Sequence, residues 1–226
     1  MRAVCLQHVP FEGPGAFAAS LKQRNVELRP VLVPRDGLPD NPGDLLIVMG
    51  GPMSVNDPDP WIAEETAFIR RAMQAGVPTL GVCLGSQFMA KALGATVQPG
   101  HGVEIGMTAI QLTEEGRKDP VFGALPPSMD VFQWHGEGYD CPPGAVTLAS
   151  SELFPVQAFR SDTRAYGLLF HMEMDQLGME ALCRECADDV TRGHQTVDEL
   201  RRRTIPALPH LHQWADRLIG HLIHLS

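Results

Sequence analysis

The sequence predicts a three-layer α/β/α domain on a mostly parallel sheet, with some antiparallel strands and a helical C-terminal extension. Three observations carry this expectation. Short apolar runs alternate with amphipathic stretches from Ala3 to Leu93. The runs are continuously apolar, as in parallel strands covered on both faces. From Asp175 onward the apolar residues recur at helical spacing. A chain of 226 residues suits one such domain, placed here at 1–190, with 191–226 as an extension packed on it.

The elements follow in order. Ala3–Leu6 reads as a strand, Gly15 to Arg24 as a helix, and Val26–Val33 and Leu45–Met49 as further strands. The next helix has Asp59 as its cap and Pro60 at its first position. Glu64 and Glu65 in its early turns and Arg70 and Arg71 near its end complement the dipole. Its stripe is Trp61, Ile62, Phe68, Ile69, Ala72 and Met73, and Gly76 stops it. Val77–Val82 reads as a strand running into Cys83, and Gly85–Leu93 as a helix leaving it. Between Val97 and Phe170 the chain is rich in Gly and Pro. Its short β-like runs are Thr108–Leu112, Met129–Trp134, Ala145–Ala149, Val156–Phe159 and Ala165–Phe170. The last helix carries Leu211, Trp214, Ala215, Leu218, Ile219, Leu222 and Ile223 on one face.

Composition narrows the function. A formal net charge of −9 disfavours nucleic acid or an anionic membrane as partner, since either calls for a basic patch. The cluster Arg201–Arg203 reads as a solvated helix face. The N-terminal apolar stretch, broken by Gln7 and His8, is too short for a signal peptide, and runs such as Leu45–Met49 are too short to span a bilayer. Five cysteines at irregular spacing are unlike a disulfide framework, so the expected location is cytoplasmic.

Gly81-Val82-Cys83-Leu84-Gly85 has the form of a nucleophile elbow with Cys in place of Ser. A sharp strand-to-helix turn exposes such a side chain, and the flanking glycines let the backbone pass closely. The helix N-terminus behind it favours thiolate over thiol, and the Leu84 N–H is placed to serve an oxyanion. The same motif also suits a buried crossover cysteine; its position between an apolar strand and a helix favours the nucleophile. A base is then needed. His171 ends the apolar strand Tyr166–Phe170, on the rim it would share with the elbow, and Glu173 two residues on points the same way if the chain is extended. Without Cys83, a sheet-capping histidine and a solvated glutamate would be the simpler reading.

Cys83, His171 and Glu173 together resemble the class I glutamine amidotransferases, most closely stand-alone proteins similar to the glutaminase domain of GMP synthase. The resemblance runs from about residue 40 to residue 175. It rests on Met49–Val55, Gly81–Gln87, Phe132–Gly136, Gln157–Arg160 and Phe170–Glu173, in that order. It implies a flavodoxin-like sheet and a Cys83–His171–Glu173 triad acting through a γ-glutamyl thioester. It also implies an oxyanion hole from the backbone amides of Gly51 and Leu84, with the glutamyl head group held by Gln87, Trp134, His135 and Gly136. A Gly-Gly-Pro turn after a strand independently presents unobstructed N–H groups. One departure is Met172, where the family usually has Pro.

Other residues are less telling. His101 and Glu104 lie in a Gly-rich turn and are candidates to line the pocket. Glu137 and Tyr139 are candidates for the substrate's amino group or distal part. His135 suits either the site wall or a core position. Cys183 and Cys186 form a CxxC with no second pair, which disfavours structural zinc. His210, His212, His221 and His224 read as a solvated face. No metal and no cofactor are expected, and no nucleotide-binding glycine motif is present.

Three functions are open: a self-contained hydrolase of γ-glutamyl compounds and a glutaminase subunit supplying ammonia to a separate synthase, which share this chemistry up to the acyl-enzyme, and a non-catalytic relative that binds a glutamyl ligand or a partner. The intact Cys–His–Glu set disfavours the last. An α/β-hydrolase with a Cys elbow is disfavoured because its acid precedes the His in the chain.

Overall fold

The computed structural model describes residues 1–161 and 164–225. The first half alternates strands and helices: β1 (Arg2–Gln7), α1 (Gly15–Gln23), β2 (Glu27–Leu32), α2 (Val33–Asp36), β3 (Leu45–Val48), α3 (Pro60–Gln74), β4 (Thr79–Val82) and α4 (Leu84–Ala92). A long ribbon follows, β5 (Val97–Leu112), α5 (Glu114–Lys118) and β6 (Ser128–Tyr139), then β7 (Val146–Ser150), β8 (Ala158–Arg160) and β9 (Ala165–Leu168). The chain ends in α6 (Gln176–Glu185), α7 (Ala187–Arg192), α8 (Val197–Thr204) and α9 (Leu208–His224).

The described strands form one sheet in the order β2-β1-β3-β4-β9-β8-β7-β5-β6. From β2 to β9 all neighbours are parallel; from β9 to β6 all are antiparallel. The predicted mostly parallel sheet with antiparallel strands is therefore present, and helices cover both faces. Alternate residues of β1 show it: Ala3 and Cys5 join one buried cluster with Phe17 of α1, while Val4 and Leu6 join another with Ile62 and Phe68 of α3. Each fully buried aliphatic side chain of this kind contributes about 1.5–3 kcal/mol.

Several elements depart from expectation. Asp59 occupies the N-cap position of α3, but its side chain accepts no capping hydrogen bond; its backbone carbonyl takes the Ile62 N–H instead, at 3.1 Å. Glu65 does not complement a dipole on the surface, because it is fully buried. The two central runs Thr108–Leu112 and Met129–Trp134 are the ends of a far longer hairpin, β5–β6. Arg201 is not merely solvated: it pairs with Glu180 of α6 at 2.5 Å, and Arg203 donates to Met107 O at 2.7 Å. Half-buried His212 bonds Met174 O at 2.9 Å, bracing the chain just after Glu173. α9 lies against α1, where Arg24 donates to Asp216 at 3.0 Å. Among the described residues no helix is long and apolar enough to cross a membrane.

The ribbon serves the site. His171, just past β9, donates its N–H to Phe132 O of β6 at 2.8 Å. That bridge brings Trp134, His135 and Gly136 of β6 over the C-terminal ends of β4 and β9.

Candidate active site

Cys83 sits between β4 and α4 with φ 50° and ψ −112°, backbone angles that a non-glycine residue rarely adopts. Such strain costs on the order of 1–3 kcal/mol and persists only when the surroundings enforce it. The flanking glycines make it possible. A Cβ at Gly85 would lie 2.0 Å from Val48 O, and one at Gly81 would lie 2.6 Å from Gly85 O. Hydrogen bonds then hold the turn. The Cys83 N–H donates to Leu168 O at 2.8 Å, and the Cys83 carbonyl accepts from the Ser86 hydroxyl at 2.7 Å. Tyr139 OH donates to that same hydroxyl at 2.9 Å. Tyr139 is thus a brace beneath the elbow, not a wall of the cleft where sequence reasoning placed it.

His171 and Glu173 are brought to the sulfur. The imidazole Nδ1 lies 2.6 Å from Glu173 Oε1, and both side chains are almost wholly buried. The other ring nitrogen, Nε2, has no hydrogen-bond partner. Burial pulls the imidazole pKa down, but the Glu173 carboxylate and the neighbouring Cys83 sulfur outweigh it and hold the pKa well above the ordinary value. Met172, between them, is fully buried in the core.

The elbow opens on a cleft of about 350 Å³. Gly51, Cys83, Leu84, Gln87, Trp134, His135, Gly136 and Glu137 all line it, so the structure brings the expected substrate residues together. Cys83 Sγ lies 3.7 Å from Trp134 O, and the Gln87 side-chain amide donates to Glu137 O at 3.4 Å. Leu84 is the first residue of α4, so its N–H has no acceptor within the helix. His135 is both wall and core: Nε2 lies 3.2 Å from Glu104 and 3.0 Å from Gln133, and burial holds its pKa below the ordinary value despite Glu104. Glu104 is turned away into this network, where Gln157 donates to it at 2.5 Å. His101 is exposed on β5 rather than in a turn, and neither it nor Glu104 lines the cleft.

Sequence reasoning missed three contributions. Glu12 lines this cleft and also a second one, of about 320 Å³, behind His171 and Glu173. Burial raises its pKa, against the opposing pull of His171 and His8. Nothing in Pro10–Gly13 announces that role. Asp189, Arg192 and Cys186 close the cleft from the C-terminal helices, and Asp189 accepts from the Trp134 indole N–H at 3.2 Å. The third is a further buried pair, His8 and Glu65. His8 Nε2 lies 3.0 Å from Glu65 Oε1, and Nδ1 lies 2.9 Å from Gly50 O. His8 follows β1 at the same rim as His171, so the rule that singled out His171 singles out His8 too. Among the described residues no cluster of His, Cys, Asp and Glu is placed to hold a metal ion.

A cysteine on a strained elbow beside a buried His–Glu pair, on this sheet, defines a class. The chain belongs to the class-I glutamine amidotransferases, whose family model matches residues 17–180. It is 29% identical to YfeJ, a glutamine amidotransferase-like protein of Salmonella typhimurium, over 95% of this chain and 90% of that one. It is 38% identical to the glutamine-hydrolyzing GMP synthase of a Parafrankia species, but that match covers 61% of this chain and only 25% of the synthase. Crystal structures of glutamine amidotransferases from Thermotoga maritima and Methylobacillus flagellatus superpose with TM-scores of 0.91. Each covers 99% of this chain, at 26% and 28% identity, and the match takes in 98% and 94% of the respective neighbour.

Proposed function

We propose that this protein hydrolyses the side-chain amide of glutamine or of a γ-glutamyl compound, with Cys83 as nucleophile, His171 as proton shuttle and Glu173 as its orienting group. The observation that carries this reading is His171 itself: Nδ1 is held by Glu173, while Nε2, with no other partner, is left to Cys83 on its strained elbow.

The chemistry follows from the protonation state. The raised His171 pKa favours an imidazolium facing Cys83, ready to give up its Nε2 proton. The Cys83 thiolate attacks the amide carbon, and the developing oxyanion takes hydrogen bonds from the Gly51 and Leu84 N–H groups. His171 passes its Nε2 proton to the leaving nitrogen, so ammonia or an amine departs and a γ-glutamyl thioester remains. His171, now neutral, takes a proton from water. The hydroxide attacks the thioester, and collapse expels the Cys83 sulfur and releases the glutamyl carboxylic acid, which gives its proton to solvent, so the ion pair is restored. Gln87, Trp134, His135 and Gly136 line the space for the glutamyl head group.

We read the protein as a stand-alone hydrolase. Its likeness to YfeJ along nearly the whole chain supports that, as does a TM-score of 0.91 to a solved glutamine amidotransferase against 0.61 to a GMP synthase subunit of similar length. The segment 191–226 then acts as an extension of the 1–190 domain rather than a separate unit. All five thiols are free, which fits a reducing cytoplasm. The test is glutamate release from a panel of glutamine, glutathione and γ-glutamyl amines, for wild type and Cys83→Ala. Turnover by wild type alone is expected. Undiminished turnover in Cys83→Ala would sink the mechanism. Activity on glutamine only with a copurifying synthase would sink the stand-alone reading and favour an ammonia-supplying subunit.

A further inference from the structure

We propose that His8 and Glu65 clamp the Gly50–Gly51 peptide so that its N–H faces the cleft, which makes them positioning residues for the oxyanion hole. This rests on the hydrolytic reading above.

The argument starts from the peptide. In a trans peptide the C=O of one residue and the N–H of the next point in opposite directions. Fixing the Gly50 carbonyl therefore fixes the Gly51 N–H. Two successive glycines offer little resistance to a peptide flip, because neither has a Cβ to oppose the rotation. The orientation must be set from outside, and His8 is what sets it. Its Nδ1 lies 2.9 Å from Gly50 O, and a carbonyl only accepts, so Nδ1 carries a proton. Gly51 lines the cleft together with Cys83 and Leu84.

Glu65 holds His8 in that state. With Nδ1 protonated, the 3.0 Å contact from Nε2 to Glu65 Oε1 requires a second proton between the two atoms. With an acceptor at each nitrogen, the doubly protonated ring satisfies both, whereas either neutral tautomer would leave one acceptor facing a bare nitrogen. The ring cannot swing away either. It is wholly buried and packs in a triangle with Trp61 and Phe88, with centroids 5.8 and 5.4 Å distant and those two rings 6.2 Å from each other. Burial opposes protonation of His8, but Glu65 and the Gly50 carbonyl outweigh it, and the pKa is raised.

Stability does not account for the pair. Both side chains are fully buried, and Glu65 Oε2 has no partner. A buried ion pair replaced by apolar residues of similar volume is often neutral or stabilising. Trp61 and Phe88 would accept an apolar ring as readily.

The test compares two amides at position 8. The amide nitrogen of Asn falls near Nδ1 and keeps the donor to Gly50 O. That of Gln falls near Nε2 and keeps only the donor to Glu65. We expect His8→Gln to lose about 10²–10³-fold in kcat with KM within about threefold, the effect of removing one oxyanion donor. His8→Asn should stay within roughly tenfold of wild type, the conservative replacement rescuing the donor. Cys83 should alkylate with iodoacetamide at the wild-type rate in both, since neither change touches the sulfur. In crystals of His8→Gln the Gly50–Gly51 peptide should be turned, and in His8→Asn it should not. Should either single variant fail to fold, His8→Phe/Glu65→Leu carries the same expectation as His8→Gln, with an apolar pair in the same pocket. Equal losses for Asn and Gln, an unturned peptide in the donor-less variant, or a loss confined to KM would overturn the clamp. If wild type hydrolyses no γ-glutamyl amide, the functional reading fails, and the peptide's orientation in the crystals still decides the clamp.

Discussion

Three buried His–Glu pairs surround the nucleophile, and two of them, His171–Glu173 and His8–Glu65, differ in one respect. In His171–Glu173 one ring nitrogen is tied to the carboxylate and the other has no partner. In His8–Glu65 both nitrogens are engaged, one by the carboxylate and one by the Gly50 carbonyl. The same two residue types therefore yield a group free to move a proton in one place and a fixed brace in the other. A histidine with a spare nitrogen beside a nucleophile suits general acid–base work. A histidine with none suits positioning.

The largest effect should come from the free pair. His171→Asn should lower kcat/KM by about 10⁴-fold and Glu173→Gln by roughly 10²–10⁴-fold, measured by glutamate release. Both should also slow iodoacetamide alkylation of Cys83 near neutral pH. The His8 variants should not, and an equal slowing in both sets would erase the distinction between the pairs.

The pH profile sharpens the comparison. His171 has a folded pKa well above 6.5, so the imidazolium that faces Cys83 persists through neutrality and is lost as pH rises through that raised value. The alkaline limb of kcat/KM should lie well above pH 6.5, and Glu173→Gln should move it down. An alkaline limb near 6.5 in wild type would contradict the account.

Smaller effects come from the braces. Tyr139→Phe removes the hydroxyl that donates to Ser86 beneath Cys83. It should cost about 1 kcal/mol in urea unfolding and a few-fold in kcat, with KM unchanged. Glu12 lies between the two pairs and feels both histidines, and its carboxyl pKa is raised above 4.5 by burial. A carboxyl with a raised folded pKa contributes stability below its unfolded pKa and loses it as pH rises through the folded value. Glu12→Gln should therefore raise Tm by a few degrees at pH 7, and the gain should vanish near pH 4. Calorimetry at the two pH values checks it.

The comparison also shows what a sequence can disclose. Leu45–Val48 and Thr79–Val82 were legible because burial on both faces leaves almost only apolar residues, Thr79 being the exception. The β5–β6 hairpin was not. Pro99, Gly100, Gly102 and Gly106 interrupt its pattern, and exposed His101 shows that part of it leaves the core. His171 and Glu173 were legible because two residues of extended chain bring them to one face. His8 was within reach of the same rim argument. Glu65 was not, since its partner lies 57 residues away and an acidic residue early in a helix reads as solvated. Glu12 lay in a loop with no periodicity to place its side chain.

The most direct test of the central claim is mass spectrometry of protein acid-quenched during turnover of a γ-glutamyl substrate. The account predicts a γ-glutamyl adduct on the peptide that carries Cys83, which disappears as substrate is exhausted and never forms in Cys83→Ala. An adduct on any other residue, or glutamate release by Cys83→Ala at the wild-type rate, would contradict it.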